Sequence, residues 1–142
     1  MAYQTYMQEL LDELGASRTT LRLDTPGETY PVVAEALAPG IASIKGDTRV
    51  GDLRAAKTFQ YIERELKPLV QNDLLDADPA PPKELIELYG ARSQMLAPIV
   101  RNGRLAGVIS VHYAPGPREW TAEELATLER CAAQVTAELE AS

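Results

Sequence analysis

The sequence predicts an α+β fold with antiparallel strands, and two observations near its C-terminal end carry most of this prediction. Asn102-Gly103 separates two apolar runs, and this residue pair best tolerates the positive φ angles of a type I′ hairpin turn. Beyond the second run, Thr121 and Glu124 have the spacing of a capping box, which predicts a helix that begins at about Ala122. The order of helix and strand patterns along the rest of the chain agrees with this class.

The N-terminal part of the chain predicts a helix followed by a hairpin. The helix is indicated by apolar residues spaced four, three and four apart, namely Tyr3, Met7, Leu10 and Leu14. Gly15 is a typical residue to end it. Residues 19–23 alternate apolar and polar side chains, residues 29–36 are rich in valine, and Pro26-Gly27 lies between them. This pattern predicts two strands joined by a turn.

The middle of the chain predicts short elements separated by loops. Residues 38–51 hold glycine, proline and polar residues, which indicates a loop. Asp52 can then cap a helix whose apolar face consists of Ala55, Phe59, Ile62 and Leu66. Residues 67–72 are predicted to form a short central strand, and residues 83–89 a short helix. Between them, residues 73–82 predict an irregular surface segment, for which a solvated connector is favoured over a lid.

Length and composition predict a single domain over residues 1–142, with 45% hydrophobic residues available for one core. The formal net charge of −7 disfavours nucleic acid or an anionic membrane as a partner. No apolar run reaches the roughly 20 residues needed to span a bilayer, and no secretory signal is recognisable, so a cytoplasmic location is expected. The single cysteine excludes an internal disulfide and a cysteine-based metal cluster.

The C-terminal part of the chain also resembles the closing half of a GAF domain. The similarity lies in Ala97-Pro98-Ile99, in Gly103 of the turn, in residues 106–111, and in the helix opening from Trp120-Thr121 to Leu128. Residues 64–75 are similar to the middle strand of that family and its following loop. GAF domains are the small-molecule sensing modules of phytochromes, cyclic-nucleotide phosphodiesterases and many bacterial signalling proteins. This fold hosts many unrelated functions, so the resemblance specifies a fold better than a ligand.

The resemblance implies a central antiparallel sheet of five or six strands. The N-terminal and C-terminal helices would pack together on one face, and a pocket would lie under loops and short helices on the other. The last helix carries apolar residues spaced three, four, three and four apart, namely Leu125, Leu128, Ala132, Val135 and Leu139. This spacing is typical of a coiled-coil seam, and the first helix repeats it. A homodimer through both helices is therefore predicted, although packing within one chain would also explain the two seams.

Candidate site residues come from the second hairpin strand. Side chains alternate along residues 105–113, which places Ser110 and His112 in the smaller and more polar set. These two residues are predicted to face away from the helices and to line the pocket. For His112, a position near a strand end that reaches water is favoured over a role in the site, and haem ligation is less favoured still. Arg54 is predicted to add charge to a bound ligand, although for Arg22, Arg54 and Lys57 a solvated role is favoured.

The sequence thus predicts a non-enzymatic small-molecule-binding sensory module of bacterial signal transduction. One alternative is a dimerisation or scaffold module whose cavity holds no ligand. Another is an enzyme with the GAF fold, such as a free methionine sulfoxide reductase. That enzyme class depends on cysteines around the pocket, whereas Cys131 lies within the last helix and is expected to be a packed core residue. No metal site, catalytic group or named cofactor is predicted, and the ligand is not specified.

Overall fold

The computed structural model describes residues 2–47, 49 and 52–142, and it contains five strands and four α-helices within that part of the chain. The helices are α1 (Tyr3–Leu14), α2 (Lys57–Glu65), α3 (Lys83–Glu87) and α4 (Ala122–Ala141). The strands are β1 (Arg18–Leu23), β2 (Val32–Leu37), β3 (Leu69–Gln71), β4 (Ser93–Arg101) and β5 (Arg104–Tyr113). Two short 3₁₀ turns lie at Leu53–Ala55 and Leu74–Asp76. The predicted α+β class is confirmed.

The five strands form one antiparallel sheet in the order β2-β1-β5-β4-β3. The long strand β5 lies at its centre, whereas β3 pairs only with β4 and forms an edge. The prediction that residues 67–72 form a central strand is therefore wrong. The short strand follows Pro68, which has no N–H to donate, and short strands beside proline suit an edge.

The β4–β5 hairpin has the geometry that its turn sequence predicts. Arg101 pairs with Arg104, and the two residues between them, Asn102 and Gly103, have φ angles of 54° and 73°. Gly107 allows β5 to approach β1 closely. A Cβ atom at this position would lie 2.5 Å from the carbonyl oxygen of Arg22, which is closer than such atoms approach. A side chain there would force the two strands apart.

Helices α1 and α4 cover one face of the sheet and enclose the larger hydrophobic core. Their contribution to it includes Met7, Leu10, Leu128 and Val135, all 2% exposed or less. Cys131 belongs to the same core. The residues of both predicted seams pack within one chain, because their leucines already contact the sheet and each other. The capping box is confirmed, since Thr121 and Glu124 exchange side-chain to backbone hydrogen bonds of 2.9 and 3.1 Å.

The second face of the sheet is covered by α2 and by loops. Here the start of the predicted helix differs from the structure. Asp52 accepts a hydrogen bond from the backbone N–H of Arg54 and caps the 3₁₀ turn, not α2. Ala56 has extended backbone angles, φ −72° and ψ 132°, so the helix begins again at Lys57. Residues 38–51 form a loop where they are described, and positions 48, 50 and 51 of that prediction lie outside the described residues.

Candidate functional site

A small cavity lies between the sheet and α2, on the face opposite α1 and α4. Its floor is formed by alternate residues of three adjacent strands, namely Thr20, Arg22, Gln94, Leu96, Ser110 and His112. Its roof is mostly apolar and consists of Ile44, Leu53, Thr58, Phe59, Pro82 and Leu85. Pro82 belongs to the segment for which a solvated connector was favoured. That segment therefore contributes to the roof of the cavity.

Strand register brings the polar floor residues side by side. Arg18 of β1 lies opposite His112 of β5, and His112 lies opposite Gln94 of β4. Gln94 in turn lies opposite Gln71 of β3. Directly paired residues project from the same face of a sheet, so a polar row crosses four strands. Gln94 Nε2 donates to Gln71 Oε1 at 2.8 Å. A second row places Thr20 beside Ser110.

Arg18 and His112 form a buried pair at one end of this floor. Arg18 is 1% exposed, and its Nη1 lies 3.2 Å from Nδ1 of His112. A guanidinium can only donate, so Nδ1 accepts and the imidazole is neutral with its proton on Nε2. Burial, together with the positive charges of Arg18 and Arg22, holds the pKa of His112 well below its usual value. Arg18 also donates from Nη2 to the carbonyl of Ala42 at 2.7 Å.

Arg22 projects from the same face of β1 and lines the cavity itself. Its Nη1 donates to the carbonyl of Tyr30 at 2.8 Å, and burial lowers the pKa of the guanidinium to about 10. Neither Arg22 nor Arg18 forms an ion pair within the described residues. Glu35 favours the charged form of both arginines at a distance, but its carboxylate accepts hydrogen bonds from Ser43 and Ile44. The floor is therefore positively charged without a neutralising carboxylate beside it.

Two polar atoms of the floor have no hydrogen-bond partner in the part of the chain that the structure describes. They are the hydroxyl oxygen of Thr20 and Nε of Arg18, and both are fully buried. A buried polar group without a partner costs about 1–3 kcal/mol, so folded proteins keep few of them. Of the four such atoms among the described residues, two lie on this face of β1, and the others are the hydroxyl of Tyr3 and Nε of Arg92.

The free space at the centre of the cavity is about 30 Å³. A larger space of about 620 Å³ lies beside it and is lined in part by the same three residues, Arg22, Ile44 and Leu53. Those side chains thus form the boundary between the inner cavity and the outer space. Movement of their side chains would join the two.

Comparison with known proteins agrees with this architecture. The family model of the GAF domain matches residues 1–139. The chain belongs to the GAF domain family. No curated protein matches the sequence.

Three solved structures illustrate the similarity of this GAF domain to others. GAF3 of Slr1393 from Synechocystis sp. PCC6803 has a TM-score of 0.81 and 16% identity, covering 96% of this chain and 90% of its own. A domain assigned to a two-component sensor histidine kinase protein of Sinorhizobium meliloti 1021 has a TM-score of 0.77 and 21% identity, covering 98% and 89%. The protein JSC1_58120g3 with bound biliverdin has a TM-score of 0.71 and 20% identity, covering 96% and 86%. At these identities the comparisons show a shared fold.

The structure of the GAF domain places two of the three predicted site residues in the cavity. Ser110 and His112 face away from α1 and α4 and line the floor, as the alternation along β5 predicts. Arg54 does not line the cavity, which corrects its predicted position. Its guanidinium is exposed, pairs with Asp24 and lies 4.8 Å from the ring centre of Tyr30. On the 3₁₀ turn the neighbouring Leu53 points inward, so Arg54 points outward.

Arg18 and Arg22 of β1 are the arginines beside the candidate site whose position the sequence did not reveal. Arg18 is buried behind the floor, and Arg22 is half-buried and lines the cavity. A solvated role was favoured for Arg22 because it alternates with Leu21 and Leu23, which face the helices. The opposite face is not solvent at this strand but the floor of the cavity. A signal was available, because Arg18, Thr20 and Arg22 form a polar row on a strand whose other side chains are apolar or small.

Cys131 lies on the far side of the sheet from this cavity. Burial raises the pKa of its thiol to about 11, so it is protonated at neutral pH and is a poor nucleophile.

Among the described residues there is no cluster of three His, Cys, Asp or Glu side chains that could hold a metal ion. Within the same part of the chain, no helix is long and apolar enough to cross a membrane.

Proposed function

We propose that this GAF domain is a non-enzymatic sensory module that binds a small molecule between the floor of β1, β4 and β5 and the roof near α2. One observation carries the proposal. The floor concentrates buried hydrogen-bonding groups under a mostly apolar roof, among them the Thr20 hydroxyl, which has no partner in the described part of the chain. A mostly apolar pocket with a few converging polar groups is the usual form of a small-molecule site. Ser110 and His112 are the proposed ligand-binding residues, with Arg22 in place of Arg54 as the charged group.

The structural neighbours support a sensory role, and the differences between them and this chain narrow the class of ligand. One of them holds biliverdin, and another comes from a protein assigned as a sensor histidine kinase. A covalently attached bilin does not suit this chain. Its single cysteine is Cys131, which is buried in α4 on the other face of the sheet. The inner space of about 30 Å³ has room only for one end of a small molecule. We expect the rest of the ligand to displace Ile44 and Leu53 and to extend towards the outer space of about 620 Å³.

The lining of the cavity supports binding in preference to catalysis. The twelve residues that line it include no carboxylate and no thiol. His112 provides the one imidazole of this lining. Its Nδ1 is the unprotonated nitrogen that a general base would use, and it already accepts a hydrogen bond from Arg18. Hydrolytic or thiol-based enzymes of this fold would need a free base or nucleophile at this position.

We also propose that the domain acts in the bacterial cytoplasm as a homodimer formed through α1 and α4. The seams contribute little to that interface, because most of their residues are buried within one chain and Leu125 and Leu139 are half-buried against the same core. The proposed contact is the outer surface of the helix pair, where a groove of about 390 Å³ is lined by Tyr6, Glu9, Arg130, Ala133 and Gln134 among others. A scaffold module without ligand remains the alternative for a domain that uses only this surface.

Native mass spectrometry of the protein purified from its own host tests the binding function. We expect a small molecule to be retained at one copy per chain. The variant Ser110→Val removes a floor hydroxyl and fills part of the cavity, so it should lose the retained mass, whereas Gln134→Ala on the exposed side of α4 should keep it. Retention that is equal in Ser110→Val, or absent from the wild-type protein, would contradict the proposal and favour the scaffold alternative.

A further inference from the structure

We infer that the ligand of this cavity is a small organic monoanion. Its acidic group would be bound by Arg22 and Thr20 on the floor, and its apolar part would pack under Leu53 and Phe59. This inference rests on the proposed function and names the chemical class of the molecule that it leaves open.

The first argument is the charge of the floor. Arg22 and Arg18 are both cationic, and neither has an ion-pair partner within the described residues. The chain as a whole carries a formal charge of −7, so these two cations without a direct carboxylate contact are not a consequence of a basic composition. Glu35 acts on both only at a distance, and Arg18 lies 5.2 Å from the ring centre of Tyr89. Charges removed from water are normally paired, because an unpaired buried ion is unfavourable. An anionic ligand would supply the missing partner.

The second argument is the number of free donors. Arg22 uses only Nη1, on the carbonyl of Tyr30, so Nε and Nη2 make no hydrogen bond within the described residues. Thr20, two residues earlier on β1 and on the same face, has a fully buried hydroxyl that finds no partner among the residues the structure describes. His112 adds its Nε2–H, because its other nitrogen accepts from Arg18. A carboxylate only accepts hydrogen bonds, and it is the group that matches such a set of donors.

The third argument limits the ligand to one negative charge and an apolar body. Three carboxylates line the outer space that borders the cavity, those of Glu28, Asp47 and Asp52, beside the one additional cation of Lys45, and Asp47 pairs with Arg49. These carboxylates disfavour a multiply charged anion such as phosphate more than a monocarboxylate, since repulsion grows with the charge of the ligand. The roof is formed mainly by apolar residues, including Leu53 and Phe59, which favour a hydrocarbon or aromatic group.

Matched pairs of acids and amides test this inference. Butyrate, benzoate and phenylacetate are each compared with butyramide, benzamide and phenylacetamide, with chloride and inorganic phosphate alongside. Dissociation constants are measured from NMR shifts of the backbone amides of Thr20 and Ser110. We expect at least one acid to bind about ten-fold or more tightly than its amide, as charge-assisted hydrogen bonds to a half-buried guanidinium provide.

Three variants complete the experiment. Arg22→Gln should abolish the preference for the acid, whereas Arg104→Gln, an exposed arginine of the β4–β5 hairpin, should retain it. Thr20→Val keeps the shape of the side chain but removes the hydroxyl, so it should weaken acid binding several-fold without lowering the melting temperature. It serves as the second probe if Arg22→Gln does not fold.

The possible results separate this inference from the proposed function. If the amides bind as tightly as the acids, or if the preference survives in Arg22→Gln, the anionic class is wrong while the sensory function stands. If chloride or phosphate binds more tightly than every carboxylate, the organic part of the inference is wrong. If neither member of any pair binds, the inference fails, whereas the proposed function is decided separately by the retained mass in native mass spectrometry.

Discussion

At the scale of single residues, the Arg18–His112 pair is the feature on which the cavity floor depends. Arg18 is almost completely buried and relies on His112 Nδ1 and the Ala42 carbonyl as acceptors. An apolar replacement of His112 would leave part of a buried guanidinium without a partner. The histidine therefore has a structural role in addition to its proposed contact with ligand.

His112→Ala should lower the free energy of unfolding by about 1–3 kcal/mol, because it leaves a buried donor of Arg18 unsatisfied. His112→Gln retains an acceptor and should cost less. Chemical denaturation of both variants beside Gln134→Ala measures the difference. Equal stability of His112→Ala and the wild-type protein would show that Arg18 does not need the imidazole.

The same pair predicts a dependence of stability on pH. The pKa of His112 in the folded domain lies well below its value of about 6.5 in an unfolded chain. The unfolded state therefore binds the proton first. Stability is complete above about pH 6.5 and falls as the pH decreases towards the folded pKa, by up to about 1.4 kcal/mol per pH unit. Denaturation between neutral pH and about pH 5 should show this loss in the wild-type domain but not in His112→Gln. Parallel curves would contradict the assignment of a neutral imidazole.

At the scale of elements, local sequence signals predicted where helices and strands form better than they predicted which elements pack against each other. The turn at Asn102-Gly103 and the capping box at Thr121 are determined by a few adjacent residues, so the sequence predicted both. The edge position of β3 and the interruption at Ala56 depend on distant packing and backbone angles. Period-two alternation placed Ser110 and His112 correctly, but it could not show that the outer face of β1 is covered. For that reason the positions of Arg18 and Arg22 were missed.

Gly107 links the pairing of β1 and β5 to the geometry of the site. A methyl group at this position would lie 2.5 Å from the Arg22 carbonyl oxygen and 2.8 Å from a methyl carbon of Leu23. Gly107→Ala should destabilise the domain by about 1–3 kcal/mol, as overpacking does, and should weaken ligand binding by displacing Arg22. Gly116→Ala is the matched control, because a Cβ atom there meets nothing within 4 Å. Thermal unfolding and ligand titration of the two variants give the comparison, and equal behaviour would contradict the role of the close approach.

At the scale of the whole molecule, the two faces of the sheet have different roles. The face under α1 and α4 contains the larger core, and the other face contains the smaller core and the cavity. The helix seams that predicted a dimer are explained by the first of these cores. A dimer would therefore have to use residues on the outer side of the helices.

Substitutions on the two sides of α4 distinguish folding from association. Leu128 is 0% exposed, so Leu128→Glu should unfold the domain and not merely dissociate it. Ala133 is exposed on the outer side, so Ala133→Arg should convert a dimer into a monomer with an unchanged melting temperature. Ala80→Arg in the exposed β3–α3 loop is the control and should change neither the oligomeric state nor the melting temperature. Light scattering combined with thermal unfolding measures both properties. A wild-type protein that is monomeric at high concentration would end the dimer proposal.

The central strand β5 belongs to both faces at once. Ser110 and His112 on the floor alternate with Ile109 and Val111, which are 0% exposed and packed in the core under α1 and α4. Only the thickness of one strand separates a bound molecule from that core. Close-packed interiors pass on small displacements instead of absorbing them, so a shift of β5 at the floor must also shift the side chains beneath the helices. In the proposed sensory function, occupancy on one side would therefore move the helices on the other without a separate relay element.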